Sequence, residues 1–174
     1  MKKAKTMDLS NTPLGDEEQA ALRAFCEALQ DALDDNLRSV TLYGSAARDD
    51  FLPRKSDINL LVVLERIDVA ILKGILDPVA IGRRWGIAPF LITEKNLRAS
   101  TDVFPVKFLS MQESYRVLLG IDILGGLTIR REHLRLRCEQ EFKNILLRLR
   151  RHYLLESVVE HLHYKNFHRH HLLM

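Results

Sequence analysis

Two apolar segments separated by a Gly-Ser pair constrain this chain more than any other feature. Residues 39–43 alternate between polar and apolar side chains and run into Gly44 and Ser45, whereas Ile58–Leu64 is almost continuously apolar. An alternating run of this length is typical of a half-buried strand, and a continuous run is typical of a central strand buried on both faces. The sequence therefore predicts two strands, with a tight turn at the end of the first.

The polar residues next to these strands have the chemistry needed to bind phosphate and a hard cation. Gly44 lets the backbone approach a phosphate closely, Ser45 adds a hydroxyl, and Arg48 in the short helix expected at 46–48 can pair with phosphate oxygens. Asp57 and Asn59 occupy positions i and i+2 of a strand and so share one face, where their oxygens can bind Mg²⁺. A cation that bridges a triphosphate serves phosphoryl or nucleotidyl transfer.

This pattern resembles the nucleotidyltransferase superfamily, which includes DNA polymerase β and the aminoglycoside nucleotidyltransferases. The matching elements are the Gly-Ser pair, the Ala-Ala-Arg48 continuation, Lys55-Ser56-Asp57 and the apolar run after Asn59, so the likeness is close over residues 38–64 and loose to about 110. The resemblance implies that Gly44, Ser45 and Arg48 bind a nucleoside triphosphate, that Asp57 and Asn59 hold Mg²⁺, and that a nucleoside monophosphate is moved to an acceptor.

Two positions depart from the family pattern. The second carboxylate of the family's Asp-x-Asp or Asp-x-Glu pair is replaced by Asn59, whose amide brings no charge to a metal. The third carboxylate lies on a later strand in the family, and the best candidate strand, 103–109, offers Lys107 instead. The Lys107 ammonium would repel a second metal ion or contact a phosphate directly. Asp102 and Glu113 flank that segment as possible substitutes.

These departures leave three functional hypotheses open. The first is Mg²⁺-dependent nucleotidyl transfer from a nucleoside triphosphate to an unidentified acceptor. The second is a catalytically impaired nucleotide-binding module of the same fold, with a regulatory or partner-binding role, which Asn59 and Lys107 favour. The third, less favoured, is nucleic-acid binding by a basic patch, whose members are Arg148, Arg150, Arg151 and His152.

The charge distribution divides the chain near residue 129. Residues 130–174 hold ten Lys and Arg against five Asp and Glu, a balance of +5, and all seven histidines; because the whole chain carries +3, residues 1–129 carry −2. We expect a flexible segment at 1–15, a nucleotidyltransferase-like domain at 16–129, and a long helix with a basic, His-rich tail at 130–174. The predicted fold class is α+β, a small mixed sheet flanked by helices, followed by a C-terminal helical region.

The predicted C-terminal helix has an apolar stripe that one isolated helix would not leave in water. It consists of Leu134, Cys138, Phe142, Ile145, Leu149 and Tyr153. The stripe favours packing on the core, on a second helix or on another copy of the chain, so a homodimer through this helix is expected.

Composition indicates an ordinary globular protein that does not act within a membrane. No apolar run is long enough to cross a bilayer, and no secretory signal follows the basic first residues. Cys26 and Cys138 have no metal-ligand spacing and are expected to be free thiols in a reducing compartment, which favours the cytoplasm. The histidines at 161–171 follow no structural zinc pattern, and we interpret them as incidental.

Overall fold

The computed structural model describes the backbone of residues 7–48 and 50–171, and side chains as far as Val158. It is an α+β structure, as predicted from the sequence. The chain divides into two compact units, residues 1–130 and 131–174. No helix in the described part is both long and apolar enough to pass through a lipid bilayer.

The first unit contains a four-stranded sheet and five helices. The strands are β1 (Leu37–Tyr43), β2 (Ile58–Leu64), β3 (Ile87–Thr93) and β4 (Tyr115–Gly120). The helices are α1 (Asp16–Leu33), α2 (Val69–Gly74), α3 (Leu76–Arg83), α4 (Glu94–Ala99) and α5 (Pro105–Glu113), with short 3₁₀ turns at Asp34–Asn36 and Gly44–Ala47. The second unit is one long helix, α6 (Arg131–His171).

The sheet is mixed, with the strand order β3-β2-β1-β4. β1 pairs antiparallel with both β2 and β4, whereas β2 and β3 are parallel. A parallel pair needs a crossover connection, which α2 and α3 provide. β2 is therefore an interior strand, as its continuous apolar sequence predicted.

Helices cover both faces of the sheet because β2 is apolar on both sides. Ile58, Leu60 and Val62 pack with α1, which buries an apolar face formed by Leu22, Phe25, Leu29 and Leu33. Leu61 and Val63 face the opposite way and pack against α4, α5 and the segment after β4. The alternation along β2 thus assigns Asn59 to the second face, together with Leu61 and Val63.

Several elements begin at recognisable local signals. The helix α1 begins at Asp16 and is followed by the 3₁₀ turn at Asp34–Asn36, and β3 begins directly after Gly86. The backbone amide of Ile71 donates a hydrogen bond of 2.9 Å to Oδ1 of Asp68, which caps α2.

The prediction of a strand at 103–109 is wrong, because Pro105–Glu113 forms the helix α5. Pro105 occupies the first turn of the helix, where its missing N–H is not needed. The buried residues of α5 are Pro105, Phe108 and Met111, a spacing of three that fits one helical face and not the alternation of a strand. The fourth strand is instead Tyr115–Gly120, part of a region that the sequence analysis did not assign to a strand.

We predict that Gly120→Ala destabilises the first unit by about 2–3 kcal/mol or more, whereas Gly126→Ala changes its stability little. Gly120 has a φ of +75°, and a Cβ there would clash with the Arg38 carbonyl across the sheet. The nearest atom to a Cβ at Gly126 is 3.6 Å away, an ordinary contact. Urea unfolding of the two variants checks this, and equal midpoints would contradict the proposed role of Gly120.

Candidate functional site

The Gly-Ser turn is held at both ends by one residue. The Gly44 amide donates a hydrogen bond of 3.3 Å to the Ser114 carbonyl, and the Ser114 hydroxyl donates one of 2.9 Å to the Ala47 carbonyl. Gly44 has a φ of +76°, a left-handed conformation that favours glycine. The turn therefore keeps a fixed shape at the end of β1, with Ser45 half-buried within it.

The strand register brings this turn beside Asn59. Tyr43, the last residue of β1, pairs with Asn59 on β2. A Cβ placed on Gly44 would lie 3.6 Å from Nδ2 of Asn59, an ordinary contact distance. The turn and the strand, which are separated in sequence, thus lie next to each other, and the surface between them is the candidate cleft.

Asp57 lies at the solvent end of the same strand. Its side chain is exposed, and Nδ2 of Asn59 donates a weak hydrogen bond of 3.4 Å to the Asp57 backbone carbonyl. This bond leaves Oδ1 of Asn59 and the Asp57 carboxylate as oxygen ligands. Asp57 also lines an open depression of about 380 Å³, together with Arg83 of α3 and Ala88 of β3.

Arg48 does not point toward this cleft in the structure. Its Nε lies 3.3 Å from Oδ1 of Asp50, and both side chains are exposed. Such surface pairs contribute between about 0 and 1 kcal/mol, so the cost of turning Arg48 toward a phosphate is small. Its role in phosphate binding stays a prediction.

Lys107 lies on α5, above the sheet face that carries Asn59. Its Nζ is 3.7 Å from the centre of the Phe90 ring, a cation–π contact. On the neighbouring strand β2, Phe90 pairs with Leu61 and Ala88 pairs with Asn59. Ala88 and Phe90 are two residues apart, so they lie about 7 Å from each other along β3. The helix α5 thus brings the positive charge of Lys107 to the face and the end of the sheet where Asn59 lies. Lys107 was expected on a strand, but it reaches this face from a helix.

The third carboxylate of the family pattern has no counterpart in the described residues. Ala88 occupies the β3 position directly beside Asn59 and provides no ligand. Asp102, in the turn before α5, and Glu113, at the end of α5, are both exposed. No group of three acidic, His or Cys side chains that could hold a metal ion occurs among the described residues.

Two tyrosines that the sequence analysis did not identify extend the row of side chains on this face. Tyr43 pairs with Asn59 on one side and with Tyr115 of β4 on the other. Burial raises the pKa of the Tyr43 hydroxyl. The Tyr115 hydroxyl donates a hydrogen bond of 2.9 Å to Oδ2 of Asp122, and this bond raises its pKa. The pairing is tertiary and has no local sequence signal.

The donor set fits one Mg²⁺ ion better than two. Mg²⁺ in nucleotide sites is bound by one or two protein oxygens and by the phosphates, and retains several water molecules. Asp57 and Asn59 supply two oxygens and one negative charge, which suits a single nucleotide-bound ion. A second ion would meet Ala88 and the Lys107 ammonium on the same face.

The histidines of the C-terminal tail, at positions 161, 163, 168, 170 and 171, lie outside the residues whose side chains the structure describes.

Comparison with known proteins finds similarity at the level of structure. No protein-family model and no curated protein matches the sequence. The spectinomycin adenyltransferase AAD(9) from Enterococcus faecialis, solved with ATP and spectinomycin, aligns with a TM-score of 0.53 and 13% identity. The alignment covers 70% of this chain and 63% of that enzyme, so the chain spans less than two thirds of its length.

Two toxin–antitoxin complexes align less well. A mutant of MntA–HpeT has a TM-score of 0.46 and 16% identity, over 74% of this chain and 98% of that one. The tri-AMPylated HEPN toxin of Shewanella oneidensis in complex with the MNT antitoxin has a TM-score of 0.46 and 15% identity, over the same shares.

The mixed sheet, the turn at the end of β1 and the likeness to the adenyltransferase agree on one architecture. This chain has the fold of the spectinomycin adenyltransferase.

Proposed function

We propose that this chain is a nucleotidyltransferase that binds a nucleoside triphosphate with Mg²⁺ and moves the nucleoside monophosphate to an acceptor that is still unidentified. The observation that carries the proposal is that a Cβ built on Gly44 would lie 3.6 Å from Nδ2 of Asn59. It supports a site in which the Gly-Ser turn binds phosphate next to Asp57 and Asn59 as the proposed cation ligands. The adenyltransferase with the same fold was solved with ATP, which makes ATP the first nucleotide to test.

Each residue has a distinct role in this proposal. Gly44 lets the backbone approach the β- and γ-phosphates closely, Ser45 binds them through its amide and its hydroxyl, and Arg48 leaves its weak surface pair with Asp50 to join them. Asp57 and Asn59 hold the cation. When bound, Mg²⁺ would neutralise phosphate charge and orient the triphosphate for in-line displacement.

A second function has a specific observation in its favour. Ala88 beside Asn59, together with Lys107 over Phe90, leaves one carboxylate and one ammonium where the family pattern has three carboxylates. A fixed ammonium can bind a phosphate without a metal but cannot assist a second cation. This arrangement favours a non-catalytic module that binds nucleotide and reports it to a partner.

We predict that Asp57→Ala lowers the affinity for ATP in the presence of Mg²⁺ by roughly tenfold or more, because it removes the one charged ligand of the cation. Titration calorimetry with and without Mg²⁺ measures this effect. Asp31→Ala, which removes an exposed carboxylate on α1, is the matched control and should bind as wild type does.

The same titrations separate the two functions. Binding that depends on both Mg²⁺ and Asp57 supports a transferase and justifies a search for the acceptor. Binding that ignores both supports the non-catalytic module. The absence of any ATP or GTP binding to folded protein would refute both.

We predict that Asn59→Asp increases Mg²⁺-dependent ATP affinity on the order of tenfold, since it restores a charged ligand beside Asp57. Adding Lys107→Glu should increase it further, because it removes a positive charge from the same face. Asn96→Asp on α4 adds an equal charge away from the cleft and should have no effect. Unchanged metal dependence in the double variant would show that Asn59 and Lys107 do not face the bound cation.

A further inference from the structure

The helix α6 carries a largely exposed apolar stripe that the nucleotide site does not explain. Its members are Leu134 and Cys138, which are half-buried, and Phe142, Ile145, Leu149 and Tyr153, which are exposed. Phe142, Leu149 and Tyr153 are 72%, 63% and 70% exposed, which is unusual for large apolar side chains on one helical face.

The spacing of the stripe is the same in both chain directions. From Leu134 to Tyr153 the steps are four, four, three, four and four residues. A second copy lying antiparallel therefore aligns all six positions, with Leu134 opposite Tyr153, Cys138 opposite Leu149, and Phe142 opposite Ile145. The aligned stretch is about 28 Å long.

The charges beside the stripe distinguish antiparallel from parallel pairing. Arg148, Arg150 and Arg151 have no acidic residue within four positions in the chain, so they lack the usual partners along a helix. Acidic residues occur nearer the start of α6, where Glu139 and Glu141 pair with Arg135 and Arg137. These intrahelical pairs are exposed and weak.

Antiparallel pairing puts the basic segment of one copy against the acidic segment of the other. Arg148 lies seven residues after Glu141 on one side of the stripe, and Arg150 lies eleven residues after Glu139 on the other side. Both separations are close to whole helical turns, so each pair shares a side. In an antiparallel pair related by a twofold axis, like sides face each other, and Arg148 meets Glu141 while Arg150 meets Glu139.

Parallel pairing in register has the opposite effect. Each residue then lies level with the same residue of the other chain, so the arginines at 148–151 of the two chains come close together. Like charges held close together across an interface are destabilising. The apolar spacing permits both directions, and the charges favour the antiparallel one.

We propose that α6 is a dimerisation surface and that its occupant is α6 of a second copy, antiparallel, with Cys138 of one chain facing Leu149 of the other. Exposed leucines at 136, 147 and 154 lie on the far side of the helix and take no part in the contact. This inference is independent of the nucleotide site.

The native Cys138 allows a direct test with the full chain. In Leu149→Cys, antiparallel pairing brings the introduced thiol next to Cys138 of the other copy, so mild oxidation should give a covalent dimer with a 138–149 linkage. Within one helix these positions are about 16 Å apart and cannot form a disulfide. Cys26 is buried, and burial raises the pKa of its thiol to about 12, so it should not react.

Peptide mapping by mass spectrometry identifies the linkage. A 138–149 linkage supports the proposal, whereas 138–138 and 149–149 linkages mean parallel pairing and overturn it. Leu147→Cys, on the far side of the helix, is the matched control and should stay uncrosslinked. Unmodified protein that sediments only as a 20.1 kDa monomer over the micromolar range would also overturn the proposal.

A charge exchange tests the register without cysteine chemistry. Arg148→Glu should raise the dissociation constant of the dimer on the order of tenfold, because two symmetric ion pairs become repulsive. Adding Glu141→Arg should restore wild-type dissociation, as measured by sedimentation equilibrium. Arg151→Glu, which is away from the contact, is the control. Failure of the exchange to restore dimerisation would refute the proposed register.

Discussion

The antiparallel register between β1 and β2 determines where every residue of the candidate site lies. It pairs Tyr43 with Asn59 and so puts the Gly44 turn beside the first residues of β2. A shift of one residue would turn Asn59 to the opposite face of the sheet and bury it under α1. Burial of the six apolar side chains of β2 on both faces opposes such a shift, because each of them already fills a place in the core. The chemistry of the cleft therefore depends on the packing of the strand behind it.

Charge distinguishes the candidate cleft from the family pattern. The proposed cation ligands Asp57 and Asn59 bring one negative charge, and Ala88 brings none. Lys107, held against Phe90, contributes a positive charge on the same face. Mutual repulsion between a second cation and this ammonium makes a two-metal arrangement unfavourable, whereas a single nucleotide-bound Mg²⁺ remains compatible with every described residue. Both proposed functions share nucleotide binding and differ in whether this single ion suffices for transfer.

Local sequence patterns predicted most of the core but not the periphery of the site. The strands β1 and β2 were predicted because their apolar patterns reflect burial in the sheet. The segment 103–109 was predicted as a strand, but its buried residues Pro105, Phe108 and Met111 follow a helical spacing. Ser114 and Tyr115 could not have been identified, since their contacts with Ala47 and Tyr43 join residues far apart in sequence.

The most direct test of the account is a crystal structure of the full chain with Mn²⁺ and a non-hydrolysable ATP analogue, in which anomalous scattering locates the metal. We predict one Mn²⁺ ion bound by Asp57 and Asn59, with the triphosphate on the Gly44-Ser45 turn and hydrogen-bonded to the Ser45 amide and hydroxyl. A triphosphate bound away from that turn, or a metal that Asp57 does not touch, would contradict it.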